Sequence, residues 1–217
     1  MSEDWLGRWR DGRTGWHEAD GNAMLQTHWP ELHDGSRVLV PLCGKTRDLA
    51  WLAEQGCEVT GVELSPLAVA AFFSEQGLEF TRRPSAGFSV WQARELSITL
   101  FCGDYFRFDT SLAGAPFDAL YDRGALVALN AAARPGYAAH TTTLLDPAAD
   151  LLVVTLEYDQ SQAAGPPFAV LPAEVTGYWP RLKRVAERDD LAGSPPKFRD
   201  AGLRRFVEVA WQASRGG

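Results

Sequence analysis

The chain has 217 residues, of which 46% are hydrophobic and 23% are charged, values that are ordinary for one globular enzyme domain. Its formal net charge is −7 and its Lys and Arg residues are scattered, which argues against a nucleic-acid partner because such binding needs clustered positive charge. No window holds the roughly 20 apolar residues of a membrane-spanning helix, and the N-terminus lacks the apolar segment of a signal peptide. We therefore expect a single domain over residues 1–217, a monomer, a cytoplasmic location and no membrane partner.

Short apolar runs alternate with helix-patterned segments along the chain. The apolar runs predict strands at residues 37–40, 58–63, 88–92, 98–102, 117–122, 151–157, 185–188 and 206–211. The run LLVVTLE at 151–157 is the most hydrophobic and is expected at the centre of a sheet, whereas 88–92 is expected to pair with 98–102 in a hairpin. Helical spacing predicts helices at 48–55 and from Ser65-Pro66 to Gln76, where Ser suits the N-cap and Pro the first helical position.

This alternation predicts an α/β fold, in which helices cover both faces of a mostly parallel, twisted sheet. Ligands of such sheets bind outside the carboxyl ends of the strands, where the strand order reverses. Functional residues are therefore expected directly after four strand-end residues, which are Val40, Val62, Cys102 and Tyr121.

A glycine turn and an acidic residue mark a nucleoside site in the first half of the chain. The loop PLCGKT follows the first strand, and Gly44 within it allows close approach of a ligand to the backbone. Glu63 ends the second strand, 19 residues after Gly44, and an acid about 20 positions beyond the glycine turn accepts hydrogen bonds from ribose hydroxyls. The alternative is that Glu63 is an exposed carboxylate at a strand end.

The identity of the nucleoside follows from what the loop lacks. It has neither GxGxxG nor GxxxxGK[ST], and a pyrophosphate needs several glycines and clustered N–H groups. S-adenosylmethionine carries no phosphate, so the single Gly44 favours this methyl donor. An NAD-dependent oxidoreductase shares the same strand, turn, helix and acid, and the missing glycines argue against it.

Two later loops supply further candidates. Asp104 follows the third strand, where it is expected to accept a hydrogen bond from the adenine amino group, and Tyr105 is expected to cover the ring. Arg123 follows the fourth strand, within reach of cofactor and acceptor. The structural alternative for Arg123 is an ion pair with Asp122.

Metal and disulfide chemistry are not indicated. The three cysteines form no CxxC pair, and the four histidines show no HxH or HExxH spacing. Cys43, in the glycine loop, is interpreted as a small packing residue.

Long motifs of the chain resemble the thiopurine S-methyltransferase family. They are PLCGKTRDLAWLAEQGCEVTGVELSP, FDALYDRGALVALN, EYDQSQAAGPPFAV and a W-x3-W-x6-WH pattern that begins at Trp5. The resemblance extends from Trp5 to about Phe206. It implies a Rossmann-like class I methyltransferase fold with an N-terminal helical lid over residues 1–34, S-adenosylmethionine as cofactor, and a sulfur, selenium or tellurium acceptor.

The resemblance also implies site residues by position. The cofactor contacts would be Trp9, Leu42, Glu63 and Arg123, with further candidates at Trp5, Trp16, Asp104 and Tyr105. Trp16 stands where family members often carry Phe, which keeps an aromatic wall. Aromatic faces attract a sulfonium as they attract other cations, although these tryptophans would equally pack a helix onto the sheet.

The predicted activity is methyl transfer from S-adenosylmethionine to thiopurines or aromatic thiols, with selenium and tellurium oxyanions as further acceptors. Arg123 is the predicted catalytic residue, because its guanidinium stays charged at any working pH and can orient or polarise the acceptor. No catalytic triad is expected, since a thiol with a pKa near 8.5 needs little help from a general base. The alternatives are another small thiol or a halide as acceptor, and a non-catalytic nucleoside-binding module.

Overall fold

The computed structural model describes residues 4–15 and 17–215, which form two compact units. The first unit comprises the described residues up to Asn22 together with Glu31–Phe117, and the second comprises Ala23–Pro30 and the described residues from Asp118 onward. The strands are β1 (Arg37–Pro41), β2 (Glu58–Glu63), β3 (Phe80–Ser85), β4 (Phe88–Ala93), β5 (Ile98–Cys102), β6 (Phe117–Arg123), β7 (Leu145–Glu157), β8 (Lys183–Asp189) and β9 (Val207–Ala213). The single domain predicted over 1–217 stays a prediction.

The helices are mostly short. They are α1 (Trp5–Arg10), α2 (Ala23–His28), α3 (Asp48–Glu54), α4 (Pro66–Gln76), α5 (Thr110–Ala113), α6 (Arg134–Leu144), α7 (Pro172–Tyr178) and α8 (Pro196–Asp200), with 3₁₀ turns at Tyr105–Arg107 and Leu126–Ala128. Among the described helices, none combines the length and the apolar character that crossing a membrane requires.

The sheet of the first unit has the strand order β3-β4-β5-β2-β1. Parallel pairing joins β1 to β2 and β2 to β5, which confirms the α/β prediction and the first three predicted parallel strands. The register sets Pro41 opposite Val62 and Glu63 opposite Cys102. Because parallel strands end at the same edge of a sheet, the loops after β1, β2 and β5 therefore begin side by side.

The predicted hairpin is confirmed, since β4 runs antiparallel to β5. Its outer neighbour β3 was not predicted from the sequence. The side chains of β3 are almost all exposed, and its sequence FTRRPS carries the charges and the proline that are typical of an edge strand. Such a strand has no buried face, so hydrophobic alternation cannot reveal it.

Helix α4 begins and ends as its sequence predicts. The Ser65 hydroxyl accepts a hydrogen bond from the Ala68 N–H at 3.3 Å, Pro66 occupies the first turn, and Gly77 follows the helix with φ of 65°. A left-handed residue after the last turn is the usual end of a helix, and glycine adopts it without a steric cost. This helix carries the chain away from the carboxyl end of β2.

In the second unit the strand order is β6-β7-β9-β8. β9 pairs antiparallel with both β7 and β8. The predicted apolar run 151–157 is confirmed as part of an interior strand, although β7 already begins at Leu145 and is buried over residues 149–156. β8 is largely exposed, whereas β9 is buried over most of its length.

One side-chain hydrogen bond between β7 and β9 is suited to a stability test. The Trp211 Nε1–H donates to Thr155 Oγ1 at 2.8 Å, and both residues are buried. Thr155→Val keeps the shape of the side chain but leaves the buried indole N–H without its acceptor, so it should lower the free energy of unfolding by about 1–3 kcal/mol. Urea unfolding of Thr155→Val, Trp211→Phe and the double variant measures the coupling energy. Additive losses in the double variant would contradict a contribution from this bond.

Candidate active site

The loop after β1 contains two residues of positive φ and lies close to Trp9. Leu42 has φ of 47° and Gly44 has φ of 57°, and a positive φ is uncommon outside glycine. A Cβ added at Gly44 would lie 3.3 Å from Cζ2 of Trp9, so glycine serves both the backbone conformation and the close approach of the indole ring. The structure thus places the predicted cofactor residue Trp9 beside Gly44, in the same loop as Leu42.

Glu63 joins this loop to the loop after β2. One carboxylate oxygen accepts a hydrogen bond from the Gly44 N–H at 2.8 Å, and the other accepts one from the Ser65 N–H at 2.7 Å. The residue is only 6% exposed. The alternative of an exposed strand-end carboxylate is therefore wrong.

Burial dominates the electrostatics of Glu63. It raises the pKa of the carboxyl, while the backbone N–H groups of Ser65, Gly44 and Leu64 act in the opposite direction. The same burial, with a further contribution from the Glu63 charge, holds the pKa of the Cys43 thiol well above its ordinary value. Cys43 is thus a neutral, buried thiol packed near Gly61, as expected of a packing residue.

The acceptor capacity of the Glu63 carboxylate fits a ribose. A carboxylate has about four acceptor sites, so acceptor capacity remains after the backbone N–H groups have bound. Hydroxyl groups are the donors that a buried, hydrogen-bonded carboxylate accepts well. The loop after β1 is held by the same carboxylate, so a bound nucleoside would meet a preformed edge.

The loop after β5 also reaches Glu63. The Gly103 N–H donates to the main-chain oxygen of Glu63 at 2.9 Å. The Asp104 carboxylate accepts from the Phe106 N–H at 3.0 Å and is exposed, whereas Tyr105 is 2% exposed and lies in the interior. The loop position of both residues matches the sequence analysis, while their contacts with adenine stay a prediction.

The N-terminal segment contributes unequally to this site. Trp9 contacts Gly44, whereas Trp5 lies under the Arg8 guanidinium of its own helix, 5.5 Å from the ring centre. Trp16 lies outside the described residues. His17 Nε2 is 3.9 Å from a carboxylate oxygen of Glu75 on α4. The lid function of residues 1–34 stays a prediction.

In the second unit, Arg123 ends β6 beside an acid that the sequence analysis did not identify. Its Nε lies 4.0 Å from Oε1 of Glu208, whose Oε2 accepts a hydrogen bond from Arg188 Nη2 at 2.7 Å. The Asp122 carboxylate accepts instead from the Tyr137 hydroxyl at 2.7 Å and from the Leu126 N–H at 3.1 Å. No sequence spacing connects Glu208 with Arg123, because pairing of distant strands brings them together.

Asp122 is fully buried, and burial raises its pKa to about 6. The Tyr137 hydroxyl and the N–H groups of Leu126 and Ala125 act against this shift. These bonds fix the backbone turn that follows β6. Asp122 therefore supports the segment that carries Arg123.

Comparison with known proteins finds similarity to one family over nearly the whole chain. The family model described as Thiopurine S-methyltransferase (TPMT) matches residues 1–216. The Thiopurine S-methyltransferase of Bordetella petrii is 44% identical over 220 residues, covering 100% of this chain and 99% of that protein. That of Pseudomonas putida KT2440 is 45% identical over 214 residues, covering 97% of this chain and 98% of that protein.

Solved structures share the fold at low sequence identity. A Thiobacillus denitrificans SAM-dependent methyltransferase in complex with S-adenosyl-L-homocysteine has a TM-score of 0.60 at 14% identity and covers 98% of each chain. The Burkholderia thailandensis 1,6-didemethyltoxoflavin-N1-methyltransferase has a TM-score of 0.58 at 21% identity, with 97% of this chain and 86% of that chain covered. The fold is therefore the Rossmann-like class I methyltransferase fold.

The pKa of Asp122 predicts a pH dependence of stability. Its folded-state value of about 6 exceeds the ordinary 3.8, so the stability due to this group is complete below the ordinary value and is lost as the pH rises through about 6. Position 122 cannot titrate in Asp122→Asn. Between about pH 4.5 and pH 7.5, the unfolding free energy of wild type should therefore fall by about 2 kcal/mol relative to that of the variant.

Urea unfolding of both proteins at the two pH values measures this difference. Tyr137→Phe is a second test, because loss of the hydroxyl donor should raise the folded-state pKa of Asp122 further. Its loss of stability should then extend to higher pH than in wild type. An unchanged difference between wild type and Asp122→Asn at the two pH values would show that Asp122 titrates normally in the folded state.

Proposed function

The chain belongs to the thiopurine S-methyltransferase family, and on that premise we propose that it methylates the sulfur atom of thiopurines or related aromatic thiols. The observation that carries the methyl-donor half of the proposal is the buried Glu63 carboxylate, which holds the loop after β1. Folds of this class serve many acceptors, as the N1-methyltransferase among the structural relatives illustrates. The identity of the acceptor therefore depends on the side chains of the site rather than on the fold.

Four residues of the first unit are assigned to the cofactor. Glu63 would accept hydrogen bonds from the ribose hydroxyls, and the loop with Leu42 and Gly44 would lie along the nucleoside. The indole of Trp9, which contacts Gly44, offers an aromatic face to a positively charged centre. When bound, S-adenosylmethionine supplies a methyl group activated by its sulfonium. The weaker assignments are Trp5, Trp16, Asp104 and Tyr105.

Arg123 is assigned to the acceptor. Arg123 is the last residue of β6, and its side chain is 16% exposed. Ligands of α/β sheets bind at the carboxyl ends of such strands. A guanidinium stabilises the thiolate form of a thiol, whose ordinary pKa is near 8.5, without removing a proton itself. The enzyme then has to align the sulfur and exclude water rather than provide a general base. Selenium and tellurium oxyanions belong in the same acceptor screen as thiophenols and thiopurines.

Glu63→Gln tests the cofactor assignment. The substitution removes the charge and the charge-assisted bonds, which are worth about 1.5–3 kcal/mol. The dissociation constant of S-adenosylhomocysteine should therefore rise roughly 10- to 100-fold by calorimetry. Glu58→Gln, an exposed change on the same strand, is the matched control and should bind normally. Normal affinity in a folded Glu63→Gln would overturn the assignment.

Arg123→Lys tests the acceptor assignment. Lysine keeps the charge but loses the planar fork, so turnover at saturating cofactor should fall about 10-fold or more if alignment of the sulfur depends on it. A loss confined to cofactor affinity would make Arg123 a cofactor contact instead. A lower melting temperature with normal turnover per folded molecule would assign it a structural role. Arg184→Lys, on the exposed strand β8, is the control.

A further inference from the structure

Glu208 lies at the edge of the sheet where function is expected. It is the second residue of β9, which runs antiparallel to β7, so that Glu208 faces Leu156 near the carboxyl end of β7. On its other side, Glu208 is opposite Arg188 of β8. Carboxyl ends of strands are where α/β sheets bind their ligands, so this carboxylate is placed near chemistry by the topology itself.

The side chain of Glu208 is buried and serves two cations. Only 5% of it is exposed, and carboxylates are seldom buried so completely without partners. One oxygen lies 4.0 Å from Nε of Arg123, and the other accepts a hydrogen bond from Arg188 at 2.7 Å. Two guanidinium groups thus lie on either side of one carboxylate.

A buried ion pair of this kind is weak evidence for stability, because the cost of dehydrating the charges offsets much of their attraction. It does, however, restrict where a long side chain can point. Arginine loses substantial rotamer freedom when it is ordered. The carboxylate of Glu208, 4.0 Å from Nε of Arg123, is a buried ion-pair partner that favours one orientation of the guanidinium before an acceptor arrives. A group that must align a reacting atom benefits directly from such preorganisation.

We propose that Glu208 is a positioning residue that holds the guanidinium of Arg123 in the orientation needed to align the acceptor. The inference rests on the proposed function, which assigns Arg123 to the acceptor. It goes beyond that function by assigning the orientation of the Arg123 guanidinium to Glu208, a residue of β9.

Glu208→Gln is the central test, because it keeps the shape and removes the charge. Turnover at saturating cofactor and thiophenol should fall about 10-fold or more, with the S-adenosylhomocysteine dissociation constant unchanged. The KM for thiophenol should not rise, since the cluster becomes more positive. This split between kcat and KM, measured per folded molecule, is one that a purely structural role would not produce.

Two further variants sharpen the test. Glu187→Gln removes a carboxylate from the neighbouring strand, where it pairs with Arg184 and Arg205 and is half exposed, and its turnover should equal that of wild type. Glu208→Asp keeps the charge on a shorter side chain and should retain more turnover than Glu208→Gln. If Glu208→Gln does not fold, Glu208→Asp carries the comparison.

A double-mutant cycle asks whether Glu208 acts through Arg123. Adding Glu208→Gln to Arg123→Lys should cost little more turnover than Arg123→Lys alone, because the aligned guanidinium is already lost. Additive losses, or wild-type turnover in folded Glu208→Gln, would overturn the proposal.

A readout that is independent of turnover separates this inference from the proposed function. The Nε–H resonance of Arg123 in a ¹⁵N NMR spectrum can be assigned by its loss in Arg123→Lys. It should exchange slowly with solvent in wild type and markedly faster in Glu208→Gln. If wild type methylates no thiol, the proposed function fails while this measurement still decides the positioning role. Equal exchange in the two proteins would refute that role.

Discussion

The buried carboxylate of Glu63 is the interaction on which the candidate cofactor site depends. Its two oxygens bind the N–H groups of Gly44 and Ser65, and its main-chain oxygen binds the N–H of Gly103. Three loops that leave separate strands are thus tied to one residue. Charge-assisted bonds offset the cost of burying the carboxylate, and they fix the loops before a ligand binds. A fixed binding edge lowers the entropy that association must overcome.

Buried carboxylates in the second unit are satisfied in two different ways. Asp122 accepts from neutral donors, the Tyr137 hydroxyl and a backbone N–H, and its pKa rises to about 6. Glu208 instead faces the guanidinium groups of Arg123 and Arg188. The first arrangement holds the backbone after β6, and the second places a carboxylate 4.0 Å from Nε of Arg123. Both carboxylates therefore lie next to the segment that carries Arg123.

The fold was predictable where buried apolar residues recur at strand spacing or where a helix carries clear cap residues. The apolar runs of β1, β2 and β5 and the cap signals of α4 match the structure, because burial imposes a periodic pattern on the sequence. The edge strand β3 was missed, since its exposed side chains carry no such pattern. Helix α6 was also missed, because its Gly and Thr residues are poor helix formers and its stability comes from burial of residues such as Tyr137.

The sequence by itself determined the nucleoside signature of Gly44 and Glu63, the class of fold, and the position of Arg123 after a strand. Each of these residues lies on one strand or turn, and the class of fold follows from the order of such segments along the chain. Only the tertiary structure decided that Glu63 is buried and that Glu208 lies beside Arg123. Such contacts depend on strand order and register, which join segments far apart in the chain and leave no spacing in the sequence to read.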